Sequence, residues 1–242
     1  MLTENERERY QRQIILPQFG EKAQQDLKAA SVLVVGLGGL GSIASLYLVA
    51  AGVGKVGLMD NDCISLSNLQ RQILYRQDEV GKLKTDVAKE SLARLNSDVE
   101  LSIFPTLLTE TNACEIFADF DIIIDCTDNF KARFVINDAC VALNKPFVYG
   151  SISGYSGQVA VFNQDPKAIT YRCLYPCDKQ MKEMENPNSG VMGVLPAITA
   201  SIEVNEALKL ITKTGKGLYN QLLLVNIFTN EYTTLDIEPL RK

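Results

Sequence analysis

Residues 31–60 read SVLVVGLGGLGSIASLYLVAAGVGKVGLMD, and this stretch decides the fold. Val32-Leu33-Val34-Val35 is an apolar, β-branched run of strand length, and Gly36-Leu37-Gly38-Gly39-Leu40-Gly41 is the turn that leaves it. A helix from about Gly39 to Ala51 and a second strand, Val56-Gly57-Leu58-Met59, lead to Asp60. Glycines at 36, 38 and 41, with an acidic residue 19 positions after the last, carry the spacing of a dinucleotide-type βαβ unit. Glycine permits the tight turn and lets backbone N–H groups approach a phosphate, while the helix N-terminus supplies partial positive charge. Asp60 then ends the second strand facing ribose hydroxyls. A glycine-rich turn that only packs a helix onto a strand shares the pattern; the flanking strand, the helix and Asp60 favour the nucleotide reading.

Working outward, 242 residues suit one large α/β domain, expected here as a single unit over 1–242. Its nucleotide-binding half spans about 31–150 and a second half about 151–242. With 46% hydrophobic and 22% charged residues the composition is that of an ordinary soluble globule. No apolar run reaches membrane-spanning length, and Met1-Leu2-Thr3-Glu4-Asn5-Glu6 lacks the pattern of a signal peptide, so no membrane association and a cytoplasmic location are expected. A net charge of −5 argues against a nucleic-acid surface.

Six cysteines (63, 114, 126, 140, 173 and 177) form no CxxC pair, and 114, 126 and 140 sit inside apolar patterns where free cysteine behaves as a small hydrophobe. There is no histidine, which excludes a Ser-His-Asp triad, a histidine base and histidine-ligated metals. Chemistry must therefore run on carboxylates, cations, cysteine or a hard metal ion.

N-terminal to the first strand, Glu4 to Gln18 reads as helical until Pro17, with Arg7 and Arg9 on a solvated face, and Glu21 to Ala30 as a second helix. After Asp60 the chain runs Asn61-Asp62-Cys63-Ile64-Ser65-Leu66-Ser67-Asn68-Leu69-Gln70-Arg71-Gln72, a polar connection at the carboxyl end of a strand, where α/β proteins place function. Gly81-Lys82-Leu83-Lys84 opens a helix to Asn96 with Val87, Leu92 and Leu95 on its apolar face. A lysine in a first helical turn opposes the dipole, so Lys84 asks for an anionic partner unless it is solvated. Val99 to Phe104 is a third strand, Glu110 to Ala118 a short helix, and Asp121 to Asp125 a fully apolar-centred fourth strand. Asp128 follows it, either pointing into the ligand crevice or capping the helix Phe130 to Leu143.

Strands at Pro146–Gly150 and Gln158–Phe162 are separated by too few residues for a crossover helix, so the sheet turns antiparallel near residue 150. Thr170 to Gly190 is a polar crossing loop, Leu195 to Thr212 a long amphipathic helix, and Leu222–Val225 with Tyr232–Leu235 a closing hairpin. The expected fold class is α/β: a Rossmann-like, doubly wound sheet, mostly parallel, continuing into antiparallel strands, with N-terminal helices.

Nine ordered motifs from about residue 7 to 236 resemble the MoeB/ThiF/HesA family of ubiquitin-activating-type adenylyltransferases. They are Arg9-Tyr10-Gln11-Arg12-Gln13-Ile14, the Gly36–Gly41 turn, Ala51-Gly52-Val53-Gly54, Asp60-Asn61-Asp62, Ser67-Asn68-Leu69-Gln70-Arg71-Gln72, Gly81-Lys82-Leu83-Lys84, Asp125-Cys126-Thr127-Asp128-Asn129, Gly157-Gln158-Val159 and Tyr171-Arg172-Cys173-Leu174. The resemblance implies ATP-dependent adenylation of the C-terminal glycine of a ubiquitin-like sulfur-carrier protein, ThiS- or MoaD-like with a terminal Gly-Gly, in thiamine, molybdopterin or related sulfur-transfer biosynthesis. It further implies a nucleotide site of Gly36, Gly38, Gly39, Gly41, Asp60, Asp62, Asn68, Arg71, Gln72, Lys84, Asp128 and Asn129, with Mg²⁺ on Asp128. Arg12 resembles an arginine that reaches across a homodimer into the partner's site, which makes Arg12, Arg71, Lys84 and Asp128 the implied catalytic set.

Two departures are visible. Many relatives hold a structural zinc on two CxxC pairs, whereas here Thr170 stands at the first position of one pair and no second pair follows, so no zinc site is expected. Relatives also carry a crossing-loop cysteine shortly before a glycine-valine step; here Asn186 stands near that place, before Gly190-Val191, and Cys177 lies in the same loop. Three alternatives compete with a carrier-protein adenylyltransferase: adenylation of a ribosomal peptide C-terminus, a nicotinamide-dependent oxidoreductase, for which the first βαβ unit would serve equally well, and a non-catalytic dimeric scaffold.

Overall fold

The computed structural model describes residues 1–176 and 190–238. Its frame is one eight-stranded sheet in the order β3-β2-β1-β4-β5-β6-β7-β8. The strands are β1 (Ser31–Val35), β2 (Lys55–Met59), β3 (Glu100–Phe104), β4 (Ile122–Asp125), β5 (Phe147–Ser153), β6 (Ser156–Phe162), β7 (Gln221–Asn226) and β8 (Glu231–Asp236). β1 to β5 are mutually parallel, and β5–β6, β6–β7 and β7–β8 pair antiparallel, so the sheet changes sense where expected.

Helices cover both faces of the parallel part. They are α1 (Glu4–Arg9), α2 (Gln11–Ile14), α3 (Gly20–Ala29), α4 (Gly39–Ala51), α5 (Lys84–Leu95), α6 (Ala113–Ala118), α7 (Phe130–Leu143), α8 (Tyr171–Leu174) and α9 (Leu195–Thr212). Because side chains alternate along a strand, β1 divides its residues between two cores. Val32 and Val34 join Leu48, Val87, Leu92 and Val204 on the α4–α5–α9 face, while Leu33 and Val35 join Phe117, Phe134, Ile136 and Tyr149 on the α6–α7 face. Burial on both faces explains the unbroken apolar runs of β1 and β4. β8 is exposed throughout, as a closing edge strand is.

Several boundaries differ from expectation for identifiable reasons. The N-terminal helix breaks at Tyr10, a buried residue whose hydroxyl accepts from Asn96 Nδ2 at 2.8 Å, and the ring's descent into the core turns the chain between α1 and α2. Leu95 is 40% exposed, off the apolar face, because it closes α5 at the surface, where its carbonyl takes Arg9 Nη1. Arg9 therefore has a structural contact beyond plain solvation. Cys126 and Cys140 are buried, but Cys114 is exposed on α6. Tyr171–Leu174 forms a turn of helix inside the expected crossing loop, and Cys177 and Asn186 lie outside the described residues.

Candidate nucleotide site

The order β3-β2-β1-β4-β5 puts the topological switch between β1 and β4, and the carboxyl ends of those strands open the crevice where α/β sheets bind ligands. Gly36 leaves β1 with φ +89°, and a methyl group there would stand 2.8 Å from the Cys126 carbonyl oxygen, so only glycine fits between β1 and the chain leaving β4. A methyl group on Gly41 would collide with the Gly36 carbonyl, which is why the first turn of α4 can fold back against the strand. Gly38 caps α4 with no side-chain bond to its first amides. Those amides, at the positive end of the helix, are donors of the kind that bind phosphate oxygens.

Around that turn the sequence-predicted residues converge from three directions. Asp60, at the end of β2, accepts from the Leu37 amide at 2.7 Å through one oxygen and from the Asp62 amide at 2.7 Å through the other. Lys84 is buried, not solvated: its ammonium lies 2.8 Å from Asp62 and 3.6 Å from Asp60, so two carboxylates offset both its desolvation and the opposing dipole of α5. The connection from β2 to α5 arches back over the turn. A methyl group on Gly39 would lie 3.4 Å from Arg71 Cγ and 3.0 Å from Pro196 at the start of α9, and one on Gly38 would lie 3.6 Å from the Gln72 amide nitrogen.

Within the arch, Arg71 Nη1 donates to the Ser67 carbonyl at 3.1 Å and the Asn68 side chain accepts from the Ser65 amide. Gln72 is buried with Oε1 unpartnered among the described residues. A buried acceptor without a donor is costly, so Gln72, beside the glycine turn, is a candidate to accept a hydrogen bond from a bound ligand.

From β4, Asp125 is fully buried, with one oxygen accepting from Thr127, and burial raises its pKa. Asp128, three residues on, is exposed. Capping of α7 falls to Asn129, whose side chain accepts from the Ala132 amide at 2.9 Å, so Asp128 is free of that duty. Its Oδ1 accepts from Asn129 Nδ2 at 3.3 Å. Mg²⁺ is usually held by one or two carboxylates, with phosphates and waters completing the octahedron, and a single exposed carboxylate at this strand end fits that requirement. Among the described residues no three His, Cys, Asp or Glu side chains cluster to hold a metal by themselves. Thr170, at the expected position of a zinc cysteine, caps α8 together with Cys173.

Arg12 stands apart. It is exposed on α2, with no ion pair among the described residues, and α2 is pinned to the core by Gln13, which donates to Gln24 and to the Ala51 carbonyl. Sequence reasoning missed Tyr75, whose hydroxyl donates to the Leu37 carbonyl at 2.9 Å from the arch. The available signal was the apolar run Ile73-Leu74-Tyr75 that interrupts a largely polar connection. It also missed Glu203, buried on α9 beneath Gly150 with neither carboxylate oxygen partnered among the described residues.

Comparison with known proteins gives a consistent picture. The model of the ThiF family matches residues 10–242. The chain is 43% identical over 240 residues to a sulfur carrier protein adenylyltransferase of Thermus thermophilus, covering 97% of this chain and 89% of that protein. To a probable molybdopterin-synthase adenylyltransferase of Porphyra purpurea it is 42% identical, covering 95% of this chain and 60% of that protein. To the adenylyltransferase and sulfurtransferase MOCS3 of Culex quinquefasciatus it is 41% identical, covering 98% of this chain and 54% of that protein. Among solved structures, PaaA superposes with a TM-score of 0.84 at 25% identity over 99% of this chain and 76% of its own. E. coli MccB with ATP superposes with a TM-score of 0.80 at 25% identity over 90% of this chain and 67% of its own.

Proposed function

Because the chain belongs to the ThiF family and is an adenylyltransferase, we propose that it activates the C-terminal glycine of a ubiquitin-like sulfur-carrier protein. ATP is the nucleotidyl donor, an acyl-adenylate the product and pyrophosphate the leaving group. The observation that carries this reading is the buried Lys84 ammonium, held beside the glycine turn by Asp60 and Asp62, with the Arg71 side chain packed against Gly39 of the same turn.

Adenylation needs no general base, since a terminal carboxylate with a pKa of about 3.5 is already ionised at pH 7. What it needs is charge neutralisation and in-line positioning as negative charge builds on the leaving pyrophosphate. The α4 amides cradle a phosphate, Asp60 takes ribose hydroxyls, Lys84 and Arg71 neutralise the phosphate chain, and Asn68 and Gln72 orient it. Asp128, with Asn129 beside it, is the carboxylate that would hold Mg²⁺; when bound, Mg²⁺ neutralises phosphate charge as a Lewis acid. Arg12, supplied by the second chain of a homodimer, completes the cationic set.

The carrier tail reaches the crevice across the second half of the sheet. There the rings of Tyr155 and Phe228 meet at a 55° tilt, 5.2 Å between centroids, on turns at the same end of the sheet as the nucleotide crevice, and Phe228 is 73% exposed. Within this reading residues 1–242 act as one adenylation unit, about 31–150 holding the nucleotide and about 151–242 the carrier. No helix among the described residues is long and apolar enough to cross a membrane, and the same reading has the enzyme at work in the cytoplasm.

A nicotinamide-dependent oxidoreductase is set aside: it gives Arg71, Lys84 and Asp128 no task, and the curated relatives quoted above are named adenylyltransferases. ATP–pyrophosphate exchange with purified ThiS-like and MoaD-like carriers tests the proposal. Exchange that depends on a carrier ending in Gly-Gly is expected; exchange with a short ribosomal peptide and with neither carrier would overturn the substrate assignment.

A further inference from the structure

Resting on the nucleotide reading of this site, we infer that Tyr75 is a positioning residue whose hydroxyl sets the angle of the Leu37–Gly38 peptide, and thereby aims the Gly38 N–H at a nucleotide phosphate. Planarity of the peptide bond ties the direction of the Leu37 carbonyl to that of the following N–H on its opposite side. Tyr75, buried at 5% exposure in the arch between β2 and α5, donates to that carbonyl at 2.9 Å. The preceding peptide is held from the other side, where the Leu37 N–H donates to Asp60 at 2.7 Å. Two successive peptide planes of the glycine turn are thus clamped by residues from outside it.

The N–H these clamps orient is that of Gly38, the N-cap of α4, which has no acceptor among the described residues. Tyr75 is tied in turn to the nucleotide arch, since its amide donates to the Gln72 carbonyl at 3.2 Å. Gln72 is the residue whose side-chain amide lies against Gly38 and whose Oε1 is a buried acceptor with no donor. Burial, followed by the nearby Asp60 charge, pushes the phenol further above its ordinary range, so the hydroxyl remains a donor at any pH where the enzyme works. This bond couples the arch to the glycine turn, so the position of Arg71 and Gln72 relative to the phosphate site depends on it.

Tyr75→Phe removes the donor and keeps the ring. The expected result is a rise of about tenfold in KM for ATP in pyrophosphate exchange, with kcat within about threefold and KM for the carrier unchanged. That is the pattern of a lost contact made equally in ground and transition states. Leu74→Ala is the control: its neighbouring side chain is also buried in the core, so it should lower Tm while leaving KM for ATP unchanged. KM for ATP within twofold of wild type in Tyr75→Phe would overturn the inference, as would an equal rise in Leu74→Ala. If the wild type catalyses no exchange, the adenylation reading fails by itself; the Tyr75 inference is then decided by titration calorimetry with ATP, where the same tenfold weakening is expected. A wild type that binds no ATP overturns both.

Discussion

Lys84 Nζ lies 2.8 Å from Asp62 Oδ2, a buried cation held by a carboxylate whose side chain is 63% exposed. Under the proposed function the asymmetry matters, because a triphosphate reaching Lys84 would displace Asp62 into solvent at small cost, while Asp60, 3.6 Å away and bonded to two backbone amides, keeps the lysine in place. Lys84→Ala should therefore lower kcat/KM for exchange by at least about a hundredfold, as loss of a preorganised charge does. Asp62→Asn should lower it by less than about tenfold. Equal losses in steady-state exchange would mean that Asp62 acts on the nucleotide directly and not as a holder of Lys84.

The metal role proposed for Asp128 is separable from the capping role of its neighbour Asn129. Asp128→Ala leaves the α7 cap intact, so exchange should fall by several orders of magnitude with Tm nearly unchanged. Asn129→Ala removes the acceptor for the Ala132 amide and should cost about 1 kcal/mol of stability, read from denaturant midpoints. Should Asp128→Ala retain more than about a tenth of wild-type exchange, the carboxylate does not serve the metal.

How much of this could be read from the chain follows from how local each feature is. The βαβ unit was legible because glycine spacing, strand and helix lie within thirty consecutive residues, and β4 because both its faces are buried and its middle carries no polar residue. The break at Tyr10 was not, because its cause is Asn96, far along the chain. Whether Asp128 faces the crevice or caps α7 was open from sequence, because the adjacent Asn129, with nearly equal capping preference, takes the cap only in the fold. Lys84 asked for an anion, but only tertiary structure says that Asp60 and Asp62 provide it before any nucleotide does. Tyr75 and Glu203 act through a backbone carbonyl and a glycine from other elements, relationships that leave no spacing in the sequence.

Glu203 gives a pH prediction. Burial raises its pKa well above the ordinary 4.5, the nearby Asp125 adds to the rise and Arg133 opposes it; Thr199 lies one turn away on the same helix and Cys126 on the facing strand end. Between the unfolded value near 4.5 and the raised folded value, the native state keeps a proton that the unfolded chain has released, so stability falls as pH rises through that window. Glu203→Gln cannot ionise and escapes this loss. Its Tm should exceed that of wild type by a margin that widens from pH 5 to pH 8, with roughly 2–4 °C for each kcal/mol. A margin that stays flat over this range would show that Glu203 is ionised in the native protein.

Arg12 yields the last prediction. It sits exposed on α2, an element whose own tether runs through Gln13 to Gln24 and Ala51, and it has no ion pair among the described residues. An always-charged planar donor left in solvent suits triphosphate oxygens supplied from another chain. In a two-fold dimer such a contribution is reciprocal: each chain gives one arginine and receives one. Arg12→Ala and Lys84→Ala chains should each be inactive alone. A mixed dimer built from both places one doubly damaged site beside one site with intact Lys84 and an intact Arg12 from its partner. With free subunit exchange at equal concentrations about half the dimers are mixed, so roughly a quarter of wild-type exchange activity should return. If mass spectrometry confirms mixed dimers and no activity returns, Arg12 serves its own chain's site or none.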